Sequence, residues 1–318
     1  MNAEHGGPDA LGIPLHDFST NANACGPCPQ ALAAITQADA ARYPDPAYAQ
    51  LRARLASFHG VGAQRIHLAA SASEFIVRIT AAVACRGGQG VAVPLPGYGD
   101  YARAAHAQGL VLVPASAAQL LWQCDPASPS GQSVELIEPA PGAVGVLDCA
   151  YAPLRLTGSA RSCEALWQLW TPNKALGLTG VRAAYAIAPV EGDEALQELL
   201  DALMPSWPIG AHGVALLQTW TQPAVQQWLR DSLPLLRDWK ASQVQLCERL
   251  NWRCLPSDAS FFCAEPATKD LPAMLRHLRT QGIKLRDARS LGLPGHVRLN
   301  VLPPASQQAL RAALVHWR

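Results

Sequence analysis

The chain is poor in charge. Only 15% of its 318 residues are Asp, Glu, Lys or Arg, and the signs nearly cancel to a formal net charge of +1. No basic stripe and no block of like charge appears, which argues against a nucleic-acid-binding or membrane-surface protein. No apolar run approaches the roughly 20 residues needed to span a bilayer. The first ten residues, MNAEHGGPDA, lack the basic-then-apolar pattern of a signal peptide. The cytoplasm is therefore the expected location. There is no internal repeat and no low-complexity tract. A hydrophobic content of 49% over this length supports one large core plus a smaller appended domain.

Cysteine is not scarce: there are nine. Cys25 and Cys28 form a C-x-x-C with a central Gly-Pro, a spacing that reads as redox-active when it follows a strand of a thioredoxin-like unit. No strand pattern precedes it, and no second Cys pair lies at metal-binding spacing, so no metal site is expected. The remaining seven, at 85, 124, 149, 163, 247, 254 and 263, sit in or beside apolar runs, as buried reduced thiols do.

Apolar periodicity gives the organisation. Residues 28–40 and 46–59 read as helices, the second with Leu51, Leu55 and Phe58 on one face. Residues 73–86 read as another, opened by a Ser cap. Short apolar runs follow at 91–95, 110–114, 120–124, 143–149, 166–170 and 183–188. Runs flanked by turn residues and interleaved with helices predict an α/β layered domain whose sheet is covered on both faces. Residues 211–250 read as helical, with Pro234 expected to break or kink the run. The last 65 or so residues read strand (259–264), helix (270–281), strand (283–287), strand (296–301) and helix (304–316), a smaller α+β unit. The expected division is an N-terminal arm over 1–27 packing on the small domain and active site, a large domain over 28–235 and a small domain over 236–318.

Lysine is the rare cation, with four copies against 21 arginines. Lys240 and Lys269 lie in polar helical surroundings, and Lys284 lies in a short strand near Arg286. Lys174 differs, since it falls in a loop, TPNKALGLTGVR, just after an apolar strand. An amine nucleophile needs a shielded pocket and a group that positions its carbonyl partner. A phosphate needs hydroxyls, backbone N–H groups and an arginine. Thr171, Lys174 and Arg182 supply that set within twelve residues. Asp148 ends an apolar strand, where a carboxylate can hold a heterocyclic nitrogen protonated, or simply cap a loop. SASE (71–74) precedes a helix, where hydroxyls and N–H groups make an anion cradle. The order of these parts is more specific than any one of them.

That order resembles the class I/II aminotransferase superfamily of fold type I enzymes, which carry pyridoxal 5′-phosphate (PLP) on a lysine. The resemblance runs almost end to end. It implies a three-layer α/β/α PLP-binding domain with a mainly parallel sheet, plus a smaller α+β domain. SASE is similar to the family's phosphate cradle, G-x-G-S-x-E, which would set Ser71, Ala72 and Ser73 against the phosphate. PLPGYGDY (94–101) resembles the P-x-Y-x-x-Y turn and puts Tyr98 over the pyridine ring. DPASPSG (125–131) resembles N-P-N-N-P-T-G, with Ser128 where the family has the Asn that bonds the phenolic oxygen. Asp148 and Tyr151 match the residues on the ring nitrogen and phenolic oxygen. Thr171, Lys174 and Arg182 match the phosphate, Schiff-base and phosphate residues, so Lys174, Asp148 and Tyr98 become the expected catalytic set. RYPDP (42–46) resembles the segment whose Tyr, here Tyr43, reaches the phosphate of a neighbouring subunit, and a homodimer with shared sites is implied. PSDASFF (256–262) and GLPGHVRLNV (292–301) match near the C-terminus and make Arg298 the fork for a substrate carboxylate. Departures are Ser128, Cys149 in DCAY for D-E-A-Y, Asn173 beside the lysine, and Ala70 and Ala72 for cradle glycines.

Two branches of the superfamily look nearest. The N-terminus, with HGG (5–7) and DFSTNAN (17–23), resembles the threonine-phosphate decarboxylases of cobalamin biosynthesis. In that branch His5 and Asn21 would touch the substrate's phosphate. The alternatives are a frayed terminus for His5 and a turn role for Asn21. The expected reaction is decarboxylation of L-threonine O-3-phosphate to (R)-1-aminopropan-2-yl phosphate. The rival is an aminotransferase of the histidinol-phosphate type, passing an amino group to 2-oxoglutarate. A third reading, a catalytically weak protein of the same fold, rests on Ser128 and Cys149. The substrate expected under the first two is a phosphorylated amino acid or amine.

Overall fold

The computed structural model describes residues 6–161, 163–315 and 317. His5 lies outside them. The arm carries a two-residue strand, β1 (His16–Asp17). Its CGPC ends at Cys28, which is fully buried and precedes the first helix; both thiols are free.

A strand that periodicity does not announce comes next, β2 (Ile66–Ala69). It is four residues long and contains a histidine, so no apolar run marks it. His67 is buried, with Gln197, far along the chain, 3.2 Å from its Nε2 and the Asp201 carboxylate 3.4 Å from its Nδ1. The six expected runs then form β3 (Gly90–Ala92), β4 (Val111–Leu112), β5 (Leu120–Cys124), β6 (Val144–Asp148), β7 (Trp167–Trp170) and β8 (Ala184–Ile187). Their order in one sheet is β2-β8-β7-β6-β5-β3-β4. Only β8 runs against its neighbours in this sheet; the other pairings are parallel.

The helices between are α1 (Pro29–Thr36), α2 (Ala49–His59), α3 (Ala72–Cys85), α4 (Gly99–Ala107), the single turn α5 (Pro172–Ala175) and α6 (Glu194–Ala202). Side chains alternate across the strands, so each face builds its own core. On one face Trp122, Val146, Trp167 and Ala184 pack with Phe75 and Ile79 of α3, Tyr101 of α4 and Leu200 of α6. On the other, Ile66, Leu68, Tyr185 and Ile187 join α1 and α2 in a core that continues to Leu236, Val297 and Leu310 near the C-terminus.

The helical stretch after 210 divides differently from expectation. Helices α7 (Ala211–Trp220) and α8 (Pro223–Arg249) meet at Thr221–Gln222, and Pro223 opens α8. Pro at the first position costs nothing because that N–H has no intrahelical partner. Pro234 stays inside α8 and does not end it. It lies on the exposed side with Arg230 and Asp231, where water can take the carbonyl deprived of its donor.

The C-terminal unit holds β9 (Arg253–Cys254), β10 (Phe261–Glu265), α9 (Leu271–Thr280), β11 (Ile283–Lys284), β12 (Arg286–Asp287), β13 (Val297–Asn300) and α10 (Pro304–Val315). Strands β12-β13-β10-β9 form an antiparallel sheet. The run expected as one strand over 283–287 splits, since β11 pairs in parallel with β1 of the arm and β12 pairs with β13. The whole is the three-layer α/β/α arrangement with a mainly parallel sheet, joined to an α+β unit. Among the described residues no helix is long and apolar enough to cross a membrane.

Candidate active site

A cavity of about 440 Å³ opens at the carboxyl ends of the large sheet's strands, where ligands of open α/β sheets bind. It is of a size that holds a small molecule. After β2 the chain turns through Ser71 into α3. The Ser71 hydroxyl accepts from the Glu74 N–H at 3.1 Å, and the Glu74 carboxylate accepts from the Ala70 N–H at 3.2 Å. Such reciprocal capping stabilises the helix start by about 1 kcal/mol. The N–H groups of Ala72 and Ser73 belong to the first turn, which a helix cannot satisfy itself. They are the natural donors for an anion.

Asp148 is the last residue of β6 and is buried. One carboxylate oxygen accepts from the Ala150 N–H at 2.8 Å and the other from the Tyr101 hydroxyl at 2.7 Å. Tyr101 is held in turn by stacking on Trp122, with ring centroids 4.6 Å apart. After β7, Thr171 and Pro172 open α5, so Lys174 stands on a helical turn rather than in the expected loop. Pro172 fixes the start of that turn. The Lys174 Nζ lies 4.3 Å from the centre of the Tyr151 ring. Its carbonyl accepts from the Asn23 N–H at 2.9 Å, tying the lysine turn to the arm. Gly177 follows with φ +66°, and a Cβ there would come within 3.1 Å of the Asn23 carbonyl. Only glycine suits both constraints. Asn173 donates to the Val181 carbonyl at 3.2 Å and braces the segment that leads to Arg182.

The loop bearing Ser128 is anchored by a buried ion pair between Asp125 and Arg155, whose guanidinium also donates to Ser133 at 2.6 Å. Asp258 of the C-terminal unit accepts from Ser133 at 2.6 Å and from Thr157 at 2.6 Å. Those bonds hold its carboxyl below the usual carboxylate range.

The facing wall comes from the small sheet and the arm. Arg298, on β13, donates to the Ser19 carbonyl at 3.2 Å, and its guanidinium carbon lies 5.9 Å from the Phe261 ring centre. Arg286 stands directly across from it in the β12–β13 register and donates to Ser290 at 2.7 Å. The arm is fastened by Asp9, which pairs with Arg279 at 2.8 Å and Lys284 at 3.2 Å, while Lys284 also donates to the Gly7 carbonyl at 2.6 Å. Arg279 holds the Asp9 carboxyl well below its ordinary value.

Twelve of the sequence-derived candidates line this one cavity: Ser71, Ala72, Ser73, Tyr98, Ser128, Asp148, Tyr151, Thr171, Lys174, Arg182, Asn21 and Arg298. Tyr43 does not. It is 77% exposed and stacks on Trp207 at 4.4 Å. Cys149, the departure beside Asp148, is buried in a separate apolar cluster with Leu147 and Leu166. Sequence reading passed over Asp100, Arg103, Cys124 and Thr20, which also line the cavity. Asp100 had a signal, an acid one residue before the second tyrosine of the P-x-Y-x-x-Y turn. Thr20 had none.

Buried polar atoms test whether these residues suit PLP. The Thr171 hydroxyl, both side-chain polar atoms of Asn21 and the Arg298 Nε find no hydrogen-bond partner among the described residues. Such groups are costly unless a polar ligand satisfies them. An amine, a strand-end carboxylate and hydroxyl and amide donors in one cavity suit an aldehyde-bearing phosphorylated heterocycle.

Known proteins agree. The model of the aminotransferase class I and II family matches residues 13–128 and 162–316. A histidinol-phosphate aminotransferase of Symbiobacterium thermophilum is 28% identical, over 94% of this chain and 91% of its own. Among solved structures, the histidinol-phosphate aminotransferase of Sinorhizobium meliloti in complex with PLP superposes with a TM-score of 0.82 at 21% identity, covering 98% of this chain and 94% of that one. The L-threonine-O-3-phosphate decarboxylase of Porphyromonas gingivalis gives 0.78 at 21% identity, covering 94% and 98%. At that identity the structures speak for the fold alone.

Proposed function

Since the chain belongs to the class I and II aminotransferases and is a PLP-dependent enzyme, we propose that it transfers the amino group of a phosphorylated amino acid or amine to 2-oxoglutarate. The observation that carries this is the two-sided anion chemistry of the cavity. Serine and threonine hydroxyls and Arg182 line it on the large-sheet side, and Arg298 faces them from the small sheet. The histidinol-phosphate aminotransferases named above act on histidinol phosphate by their names. They favour transamination over the decarboxylation expected from the N-terminal motif.

Bound PLP supplies an aldehyde and an electron-withdrawing ring for the bond broken at the substrate's Cα. In this reading Lys174 Nζ holds the cofactor and, once free, takes the Cα proton and returns it. Asp148 keeps a proton on the ring nitrogen, and Tyr101 orients that carboxylate. The Ser71 hydroxyl, the Ala72 and Ser73 N–H groups, Thr171 and Arg182 hold the phosphate. Tyr98 stacks on the ring, and Tyr151 and Ser128 serve its phenolic oxygen. Arg298 and Asn21, with His5, hold the substrate's anionic end. Tyr43, exposed on this chain, reaches the phosphate of a second copy in a homodimer, which a solution mass of one chain in the active enzyme would refute.

One observation favours decarboxylation as a second reading. Asn21, from the arm motif of that branch, presents both unpartnered polar atoms at the cavity. Purified enzyme separates the two. Glutamate formed from histidinol phosphate and 2-oxoglutarate supports transamination. Carbon dioxide released from threonine O-3-phosphate without 2-oxoglutarate overturns it in favour of the lyase.

A further inference from the structure

Asp100 has no role in the chemistry described so far, yet it is 6% exposed and lines the cavity. It is the second residue of α4, directly after Gly99, and Tyr98 is that helix's N-cap. A first-turn acid is favourable at a helix start, and Arg103 three residues on pairs with it at 2.9 Å. Those contacts account for one oxygen of the carboxylate. The other faces the site, where it accepts from the Tyr98 hydroxyl at 2.6 Å and from the Ser73 hydroxyl at 2.7 Å.

A hydroxyl has one hydrogen to donate and two lone pairs. With both hydrogens directed at Asp100, the 3.4 Å approach of Ser73 Oγ to the Tyr98 oxygen has no proton left to bridge it. The carboxylate is therefore the common anchor of two side chains from different elements, the start of α3 and the turn before α4. Tyr98 has a further lateral contact, its ring meeting Tyr101 edge-on at 5.6 Å, and among the described residues its hydroxyl has no hydrogen-bond partner besides Asp100 and Ser73. Burial first, and the Asp100 charge second, push its phenol above the usual range and keep it a neutral donor.

We propose that Asp100 is a positioning residue of the active site, fixing the Tyr98 ring and the Ser73 hydroxyl through one carboxylate oxygen while Arg103 holds the other. A charged acceptor binding two neutral donors gives short, strong bonds, so the ring plane is set before any ligand arrives. A side-chain phenol left without that anchor could rotate about its outer bonds and blur the stacking surface.

The test uses full-length protein labelled at the tyrosine Cζ carbons, with and without PLP. Six tyrosines give few signals, and Tyr98→Phe assigns the one that matters. Asp100→Asn keeps the size but removes the charge, and it should shift the Tyr98 signal and lower kcat about tenfold, the loss of a hydrogen bond to a charged group. KM should stay within about threefold. Asp100→Glu, which restores charge at a longer reach, should recover part of kcat. In a Ser73→Ala/Tyr98→Phe background, Asp100→Asn should change kcat by less than about twofold, because its partners are gone. An unmoved Tyr98 signal in Asp100→Asn, or an undiminished loss of kcat in that background, overturns the proposal. The spectral arm does not depend on which substrate the enzyme uses, so its failure is distinct from failure of the transaminase reading.

Discussion

On the large-sheet side of the cavity, Ser71, Asp148 and Lys174 each stand where a strand has just ended. Their side chains are aimed by local backbone: a capped helix start, a strand terminus, a proline-initiated turn. On the facing side, Asn21 and Arg298 come from opposite ends of the chain and meet through long-range bonds, Arg298 to Ser19 and Lys284 to Gly7. The first wall is rigid because a continuous sheet and two cores back it. The second is assembled, and its arm is fastened by ion pairs of which Asp9 is about one-third exposed. Changes on the first wall should strike chemistry, and changes on the second should strike substrate affinity.

The largest effect should come from Lys174→Ala. We expect loss of the covalent cofactor, with no pyridoxyl adduct after borohydride reduction, and activity down on the order of a thousandfold. Retained adduct would place the amine elsewhere. Next comes Asp148→Asn, which should lower kcat by about a hundredfold while reduction still labels Lys174. A variant of unchanged kcat would remove this carboxylate from the ring nitrogen. Arg298→Ala should act on the other parameter, raising KM about tenfold or more with a smaller change in kcat. If kcat fell alone, the contrast between the walls would fail.

The smallest effect concerns the arm. Asp9→Asn should raise KM about twofold and lower Tm by roughly 1–2 °C. Because the folded-state carboxyl is held below its ordinary 3.8 by Arg279, the latch is fully present above that value. It weakens only as pH falls further, when the carboxylate takes up a proton. Hydrogen exchange over residues 6–20 should thus accelerate in acid for the parent and show no such added acid dependence in Asp9→Asn. Identical acid profiles would show that the ion pairs do not hold the arm.

The legible parts of the fold were those with strong local patterns. Runs such as LLWQC and AVGVLDC are buried on both faces, so the sheet was written in continuous apolar stretches. Strand β2 escapes because His67 looks polar in isolation, and the hydrogen-bond partner of its Nε2, Gln197 of α6, lies 130 positions on. Pro234 looked like a breaker, yet on the exposed side of a 27-residue helix its missing hydrogen bond is tolerated. The run at 283–287 looked like one strand, but its two halves serve different sheets. Asp100 carries only its place in the P-x-Y-x-x-Y turn as a local signal, and that place does not tell a solvated helix-start acid from one whose oxygen gathers two active-site hydroxyls.

The sequence alone determined the chemical inventory and its order: one amine in a short phosphate-type segment, one strand-end acid, a capped cradle and a late arginine. Order survives without coordinates because strand ends and helix starts dictate where such side chains emerge. Tertiary structure alone decided that these segments share one cavity, that the arm closes its far side, and that Asp100 sits among them while Tyr43 does not. Those outcomes depend on packing between separate elements, 27 positions apart for Ser73 and Asp100 and 279 apart for Ser19 and Arg298, where burial and partner choice are set by the whole fold and not by any window of chain.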